Sequence, residues 1–302
     1  MTARLRPTPL VPGTIEHATT LTASKMPAVL RLNPPGWGNR FSLWHEMAGL
    51  VPPDGDNDQK RRGHYLEPAI ARWFADRHPD WRITRTGTWV NVERPWQASN
   101  PDRLISRTGG RRRILELKSQ AADEEWGTEG TDEIPVHYRA QIMWQLDTQD
   151  LRIAHIAMIT TRLEFREYRL DWNETEALWL REQALAFLDT LPGGANEQRP
   201  DIDGDTDTYE TLRKLHPDID GTDLDIPADT GLIYLDACRA LDKAKAAQRE
   251  AASEVLDAMG TARRAYADGV HVATRIPGRG DNPPYLKKGT EKKKTSTDRT
   301  AA

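Results

Sequence analysis

Residues 103–119 constrain this chain more than any other stretch. Two runs, 103–107 and 112–119, flank Gly109-Gly110, and a Gly-Gly pair between β-prone runs reads as a hairpin turn. The second run contains Ile114-Leu115-Glu116-Leu117-Lys118. Strand side chains alternate, so Glu116 and Lys118 share one face and Leu115 and Leu117 the other. Burying the leucines leaves a carboxylate and an ammonium side by side on the opposite face. Asn100-Pro101-Asp102 leads into the first run, so the hairpin can bring Asp102 next to Glu116. Two carboxylates that close repel unless something positive lies between them. A divalent metal is the economical answer, and oxygen-only ligands suit Mg²⁺, with Mn²⁺ as a substitute. Lys118 is then placed to orient or deprotonate a water, or to stabilise charge developing on a phosphate.

Two further pieces point the same way. Gly63-His64-Tyr65-Leu66-Glu67 places Glu67 in the first turns of a helix, a third carboxylate. Downstream of Pro135, Tyr138, Gln141 and Gln145 fall on one helical face by i, i+3 and i+4 spacing. These neutral hydrogen-bonding groups suit a phosphate or a bound water. Gln145 reads as a structural hydrogen-bonder and Tyr138 as core and site in equal measure.

Composition removes other classes. A chain of 302 residues makes one large domain or two small ones, and 37% hydrophobic residues with 21 glycines is an ordinary globular mixture. No apolar run approaches a membrane span, and the first residues lack the apolar segment of a secretory signal. A cytoplasmic protein with no membrane partner is the expectation. The single cysteine, Cys238, excludes an internal disulfide, a zinc ribbon and an iron–sulfur cluster. No Walker A loop and no G-x-S-x-G elbow is present. Asp201, Asp203, Asp205 and Asp207 invite a calcium reading, but the sixth position is Thr206 and the twelfth Leu212, so it is rejected. The formal charge of −4 gives no general affinity for nucleic acid, so the distribution of charge has to decide. Arg111-Arg112-Arg113 at the hairpin turn is a candidate phosphate contact through Arg112. Trp126, in an acidic loop, is a candidate lid or stacking wedge, with loop anchor as the plain alternative.

Along the chain, residues 1–16 read as a loose arm. A helical stretch over 24–50 is broken at Pro34–Gly38, with Ser42 capping its second part. A helix over 60–78 carries Leu66, Ile70, Trp73 and Phe74 on one stripe. Strands follow at 81–84, 88–92, 103–107 and 112–119. After them come a loop over 120–134, a helix from Pro135, strands at 151–160 and 164–170, and a helix capped by Asn173. At Pro192 the composition turns acidic and Gly/Pro-rich. Residues 192–227 read as a linker, 228–286 as a helical extension (a long helix or half of a helical hairpin over 228–259, and a strand at 269–276) and 287–302 as a basic disordered tail. The fold class is α/β (α+β): a mixed central sheet flanked by helices, with the extension appended.

The order G-x-x-x-E, P-D, E-x-K, Y-x-x-Q resembles the PD-(D/E)XK nucleases. More narrowly, it resembles the YqaJ-type viral recombinases related to lambda exonuclease, over residues 24–170, within a domain expected over 1–191. The resemblance implies a restriction-endonuclease-like core. It implies Asp102 and Glu116 as metal ligands with the Leu117 carbonyl, Lys118 as the catalytic lysine, Glu67 as the helix-borne acid and Gln141 as the glutamine of the last motif. Ser24 resembles the serine that helps hold a 5′-phosphate. Lambda exonuclease has an arginine seven residues before that serine, where this chain has His17, which weakens the pocket.

What the resemblance implies for function is an Mg²⁺-dependent exonuclease resecting linear double-stranded DNA, expected 5′→3′, so that a single-strand annealing protein can load. Ring-like trimers occur in that branch, so a homo-trimer is the corresponding expectation. Two other readings stand beside it. One is a PD-(D/E)XK endonuclease or a Cas4-like nuclease, the latter disfavoured by the single cysteine. The other is a non-catalytic DNA-binding scaffold, against which intact Asp102, Glu116 and Lys118 argue.

Overall fold

The structure is a computed structural model describing residues 2–11, 13–53, 55, 57–119 and 125–290. These residues fall into two compact units, 1–219 and 220–302.

In the first unit, β1 (Ala3–Leu5) leads to helices α1 (Ile15–Thr19), α2 (Met26–Val29), α3 (Arg40–Met47) and α4 (Asp58–Arg77). Strands β2 (Arg82–Arg85), β3 (Trp89–Asn91), β4 (Ala98–Ser99), β5 (Arg103–Ser106) and β6 (Arg113–Ser119) follow, then α5 (Val136–Gln149), β7 (Ile153–Ile159), β8 (Phe165–Asp171) and α6 (Glu174–Leu188). The main sheet has the order β2-β5-β6-β7-β8, and β1-β3-β4 form a small second sheet. All pairings in the main sheet are antiparallel except β6 with β7, which run parallel. Parallel neighbours need a crossover, and α5 supplies it. This is the mixed sheet between helices that the alternating runs predict.

Both faces of the sheet are covered. Leu115 and Leu117 pack with Ile70 and Phe74 of α4, while Ile114, Ile156 and Tyr168 pack with Ile142, Met143 and Trp144 of α5. Burial on both sides explains why β7 reads as a near-continuous apolar run. It also means that the face holding Glu116 and Lys118 looks onto a helix rather than onto water.

Several boundaries move for local reasons. The second part of the first helical stretch is capped by Asn39, not Ser42. Ser42 sits three residues in, donating to the Asn39 carbonyl while its own N–H is received by the Asn39 side chain. The stripe helix begins at Asp58 with Asn57 accepting from Lys60 N, and it tolerates Pro68. Arg112 does not reach the face of Glu116. The turn lies at the far end of the hairpin, about 13 Å along the strand at 3.3 Å per residue, and the Arg112 guanidinium stands 5.3 Å over the Trp89 ring. Trp126 is buried, with ring centroids 4.9 Å from Tyr168 and 5.7 Å from Tyr138, so it anchors its loop rather than acting as an exposed wedge. Of the acidic loop, residues 120–124 lie outside the described residues.

The acidic stretch after Pro192 contains a further helix, α7 (Thr206–Leu215), capped by Asp205. Its start docks on α3: Gly38 N donates to Asp207 Oδ2 at 2.9 Å and Asn39 Nδ2 to Thr208 Oγ1 at 2.7 Å. Aspartates that look like linker composition are thus capping and docking groups. The second unit consists of α8 (Ala228–Met259) followed by β9 (Arg264–Ala267), β10 (Val270–Ile276) and β11 (Tyr285–Lys288), an antiparallel sheet of order β11-β10-β9. It is a helix plus a sheet, not a helical extension, and Lys287 and Lys288 belong to a strand rather than to the basic tail. The rest of that tail, residues 291–302, lies outside the described residues. No helix among the described residues is long and apolar enough to cross a membrane.

Ile156, fully buried in β7, sets the expected cost of damaging this core. Ile156→Ala should destabilise the first unit by about 2–5 kcal/mol. All ten tryptophans lie between residues 37 and 179, so urea unfolding followed by tryptophan fluorescence reads this unit alone. A loss below about 1 kcal/mol would contradict the packing described.

Candidate active site

The hairpin β5–β6 and helix α5 converge on a cleft of about 410 Å³. Eight of the residues singled out from the sequence line it: Ser24, Glu67, Asp102, Glu116, Leu117, Lys118, Tyr138 and Gln141. Arg112 does not.

Glu116 is the centre. It is only 2% exposed, a burial that a carboxylate tolerates only when fully hydrogen-bonded. Its Oε1 accepts from Lys118 Nζ at 2.9 Å and from Gln141 Nε2 at 2.9 Å, and its Oε2 accepts from Gln145 Nε2 at 3.1 Å. Gln141 turns its own Oε1 back to Lys118 Nζ at 3.3 Å. The Lys118 ammonium also lies 4.6 Å from the centroid of the Tyr138 ring. The i, i+3, i+4 face of α5 therefore closes over the strand face as its spacing predicts, with Gln145 as a full partner of the carboxylate. Gln145 Oε1 is left buried without a hydrogen bond.

Asp102 stands just before β5 and accepts from Leu117 N at 2.7 Å, which fixes its carboxylate against β6. Burial pushes its pKa well above the ordinary range, and the nearby Glu116 charge pushes it further, against the pull of Lys118 and the Leu117 N–H. For Lys118, burial works against the charge, but Glu116 and Asp102 outweigh it, so the ammonium is held above the ordinary lysine value. Burial also raises the Tyr138 phenol.

The donor set fits a hard divalent cation in part. Asp102 and Glu116 are a like-charged pair whose repulsion such an ion would relieve, and the Leu117 backbone lines the same cleft. The third carboxylate, Glu67, adds to the charge that raises the Asp102 pKa but is itself paired with Arg103. Glu67 Oε1 accepts from Arg103 Nη1 at 2.5 Å, and the same nitrogen donates to the Asp102 carbonyl at 2.6 Å. Among the described residues, no group of three or more His, Cys, Asp or Glu is gathered to hold a metal. A metal here would rest on two carboxylates, backbone oxygen and water, a set that Mg²⁺, which keeps several waters, accepts.

Sequence reasoning missed several residues of the cleft. Arg103, 6% exposed, positions both Glu67 and Asp102, and its place at the start of a strand gave no signal. Lys60 brings a positive charge to the lining. Burial and the nearby Lys25 and Lys60 lower the pKa of His17, so this imidazole is a poor carrier of the charge that an arginine would bring. His17 is absent from the lining, whereas Ser24 is there with its Oγ 3.1 Å from Thr22 Oγ1. Trp37, half exposed, meets the edges of His137 and Tyr138 at 5.6 and 6.2 Å, so the exposed aromatic of the cleft is Trp37 and not Trp126. His137 is buried with Nε2 unpartnered, and burial lowers its pKa.

Comparison with known proteins agrees with the motif order. Residues 16–152 match the YqaJ-like viral recombinase domain, bearing out the resemblance read from the motifs. No curated protein matches the chain. Among solved structures, it is similar to LHK-Exo in complex with dAMP (16% identity, 60% of this chain and 92% of that chain covered, TM-score 0.49). It is also similar to the alkaline exonuclease LHK-Exo from Laribacter hongkongensis (16% identity, 59% and 90% covered, TM-score 0.46). A phage related exonuclease from Haemophilus somnus 129PT is similar at 12% identity, with 56% and 91% covered and a TM-score of 0.43.

The Asp102 carboxyl gives a pH-dependent prediction. Its folded pKa is raised, so ionisation penalises the folded state. The penalty is full above the folded pKa and vanishes below the unfolded value of about 3.9. In EDTA, Asp102→Asn should therefore raise Tm at pH 8 relative to the parent chain, and the gap should close on acidification toward pH 4. A gap that is absent at pH 8, or that grows as pH falls, would contradict the crowding of Asp102 and Glu116.

Proposed function

We propose that this chain is a divalent-metal-dependent nuclease that hydrolyses phosphodiester bonds of linear double-stranded DNA from its ends, in the direction 5′→3′. The observation that carries the reading is the buried constellation of Asp102, Glu116 and Lys118 under Gln141 and Tyr138, in a cleft open to solvent. The match of residues 16–152 to a viral recombinase domain supports a recombination role, in which the strand left behind is handed to a single-strand annealing protein. A ring-like homo-trimer is proposed on the same ground.

Asp102 and Glu116, with the Leu117 carbonyl, would hold Mg²⁺ or Mn²⁺. Such an ion supplies an acidified water and neutralises charge on the phosphate oxygens. The chain's own residues do the rest. Lys118, held as an ammonium by its two carboxylate neighbours, acts as a charge donor toward a phosphate oxygen rather than as a base. Gln141 and Gln145 fix the Glu116 carboxylate so that it does not reorganise when substrate enters. Arg103 keeps Asp102 in place through its carbonyl and ties Glu67 to the wall of the cleft. Ser24 and Lys60 offer a hydroxyl and a cation to a terminal phosphate, the part that His17 fills poorly.

Lys118→Ala should abolish cleavage while leaving DNA binding within a few-fold of the parent chain. Glu116→Ala should weaken Mg²⁺ binding measurably by calorimetry. The decisive assay uses linear duplex DNA labelled on each strand in turn, with 5′-phosphate or 5′-hydroxyl ends, in Mg²⁺ or EDTA. Mg²⁺- and Lys118-dependent loss of the 5′ end is the expected result. Full activity in Lys118→Ala would sink the assigned chemistry, and cuts within circular DNA would replace the exonuclease by an endonuclease.

A further inference from the structure

The sheet of the second unit has one covered and one open face. Ala273 in the middle of β10 is 2% exposed, and Met259 at the end of α8 is 8% exposed, so the face holding Ala273 is the packed one. Its neighbours in register are Lys288 and Ala265. The other face is read directly from the pairing. Thr274 pairs with Lys287 on one side and Arg264 on the other, so these three side chains form a row across all three strands. Two residues along β11 from Lys287 stands Tyr285, paired with Ile276, and two along β9 from Arg264 stands Tyr266, paired with His271.

The open face thus carries two cations flanked by two tyrosines and an imidazole. Arg264 and Lys287 are exposed and Tyr285 is 57% exposed. The Tyr266 and His271 rings lie 5.4 Å apart, and His271 Nε2 meets Thr274 Oγ1 at 2.8 Å, which ties the imidazole to the central row. Residues 260–290 contain Arg263, Arg264, Arg275, Arg279, Lys287 and Lys288 against only Asp268 and Asp281, in a chain whose formal charge is −4.

We propose that this open face binds single-stranded DNA, with Arg264 and Lys287 on the backbone and Tyr285 and Tyr266 as stacking surfaces for bases. Exposed cations tracking a backbone beside aromatic platforms make a sequence-tolerant single-strand site, because every base has a π-face. Successive rows on one sheet face are about 6.8 Å apart, so the three rows span two or three nucleotides. Choosing DNA among polyanions rests on the nuclease reading of the first unit. A second contact on the same chain makes rebinding of a held strand intramolecular, which favours repeated action on one molecule.

The test uses the whole 302-residue chain in EDTA and a fluorescein-labelled oligo-dT of about twenty nucleotides, read by anisotropy over a range of salt. The double reversal Arg264→Glu/Lys287→Glu should weaken binding at least tenfold. It should also flatten the salt slope by roughly 1.4 for two lost phosphate contacts. The control reversal Lys243→Glu/Lys245→Glu on α8 makes the same change in net charge and should cost less than twofold. Tyr285→Ala should weaken binding at least threefold with the charges intact, and Tyr285→Phe should restore it. Equal losses from the two double reversals, no loss from either, or a silent Tyr285→Ala would each overturn the proposal. The two readings fail separately. Sheet-dependent binding by a chain that cuts no DNA removes the nuclease and leaves this site, while metal-dependent cutting with unaltered binding by the sheet variants does the reverse.

Discussion

The first unit is organised around one unfavourable contact: two carboxylates, Asp102 just before β5 and Glu116 on β6, brought together at the mouth of a hairpin. Left alone, such a pair would separate or protonate. Here it is held by groups that cannot easily give way. Asp102 is fastened by the Leu117 N–H, and Glu116 by an ammonium and two amides. The strain shows in the raised pKa of Asp102 and in the firmly charged Lys118. A site built this way has an unmet demand for positive charge at one point, which the proposed divalent cation would answer.

The architecture follows from holding that contact. A parallel β6–β7 pair requires a crossover, and the crossover helix α5 lands on the strand face that carries Glu116 and Lys118. Its first apolar turn brings Tyr138, and its polar positions bring Gln141 and Gln145, so one helix covers the core and also solvates the buried charge. On the opposite face, α4 packs Ile70 and Phe74 on Leu115 and Leu117 while delivering Glu67 and Lys60 to the cleft. Each helix therefore has a packing duty and a site duty at different positions of the same turn.

This division explains what was legible in the sequence. Period-two alternation at residues 114–118 and the i, i+3, i+4 spacing at 138–145 are local patterns, and the structure brings both together at the cleft. Glu67 was legible as a helix-borne acid, but its pairing with Arg103 was not, because the partner lies 36 positions away on a strand read only for its β propensity. Trp126 stood open between a lid and a loop anchor, and Trp37 was read only as part of a turn, for the same reason. Both sit in loops, and only tertiary packing decides which indole is covered. Arg112 was legible as a residue of the hairpin turn; that this turn lies at the end away from Asp102 follows from the pairing of β5 with β6. In the second unit the long helix α8 and the middle strand β10 were legible, and the two outer strands were not. Its three short strands are separated by Gly and Pro residues that look like loop, and their faces become readable only once the register is known.

Charge distribution ties the two units together in a way that net charge conceals. An overall −4 suits a chain that must not bind every polyanion it meets. In the first unit, most arginines are neutralised within the fold: Arg139 by Asp132 and Glu176, Arg181 and Arg94 by Asp147, Arg103 by Glu67. Paired arginines of this kind specify packing and leave little field outside. Screening confines surface charge to about 8–10 Å, so attraction for a nucleic-acid backbone is set by cations that are not already answered by a neighbour. Among the described residues, Arg264 and Lys287 of the second unit have that character and stand beside aromatic rings, while Lys60 lines the cleft beside the carboxylates. Specificity of action then comes from placing a few uncompensated charges where chemistry or stacking can use them, on a chain that elsewhere repels.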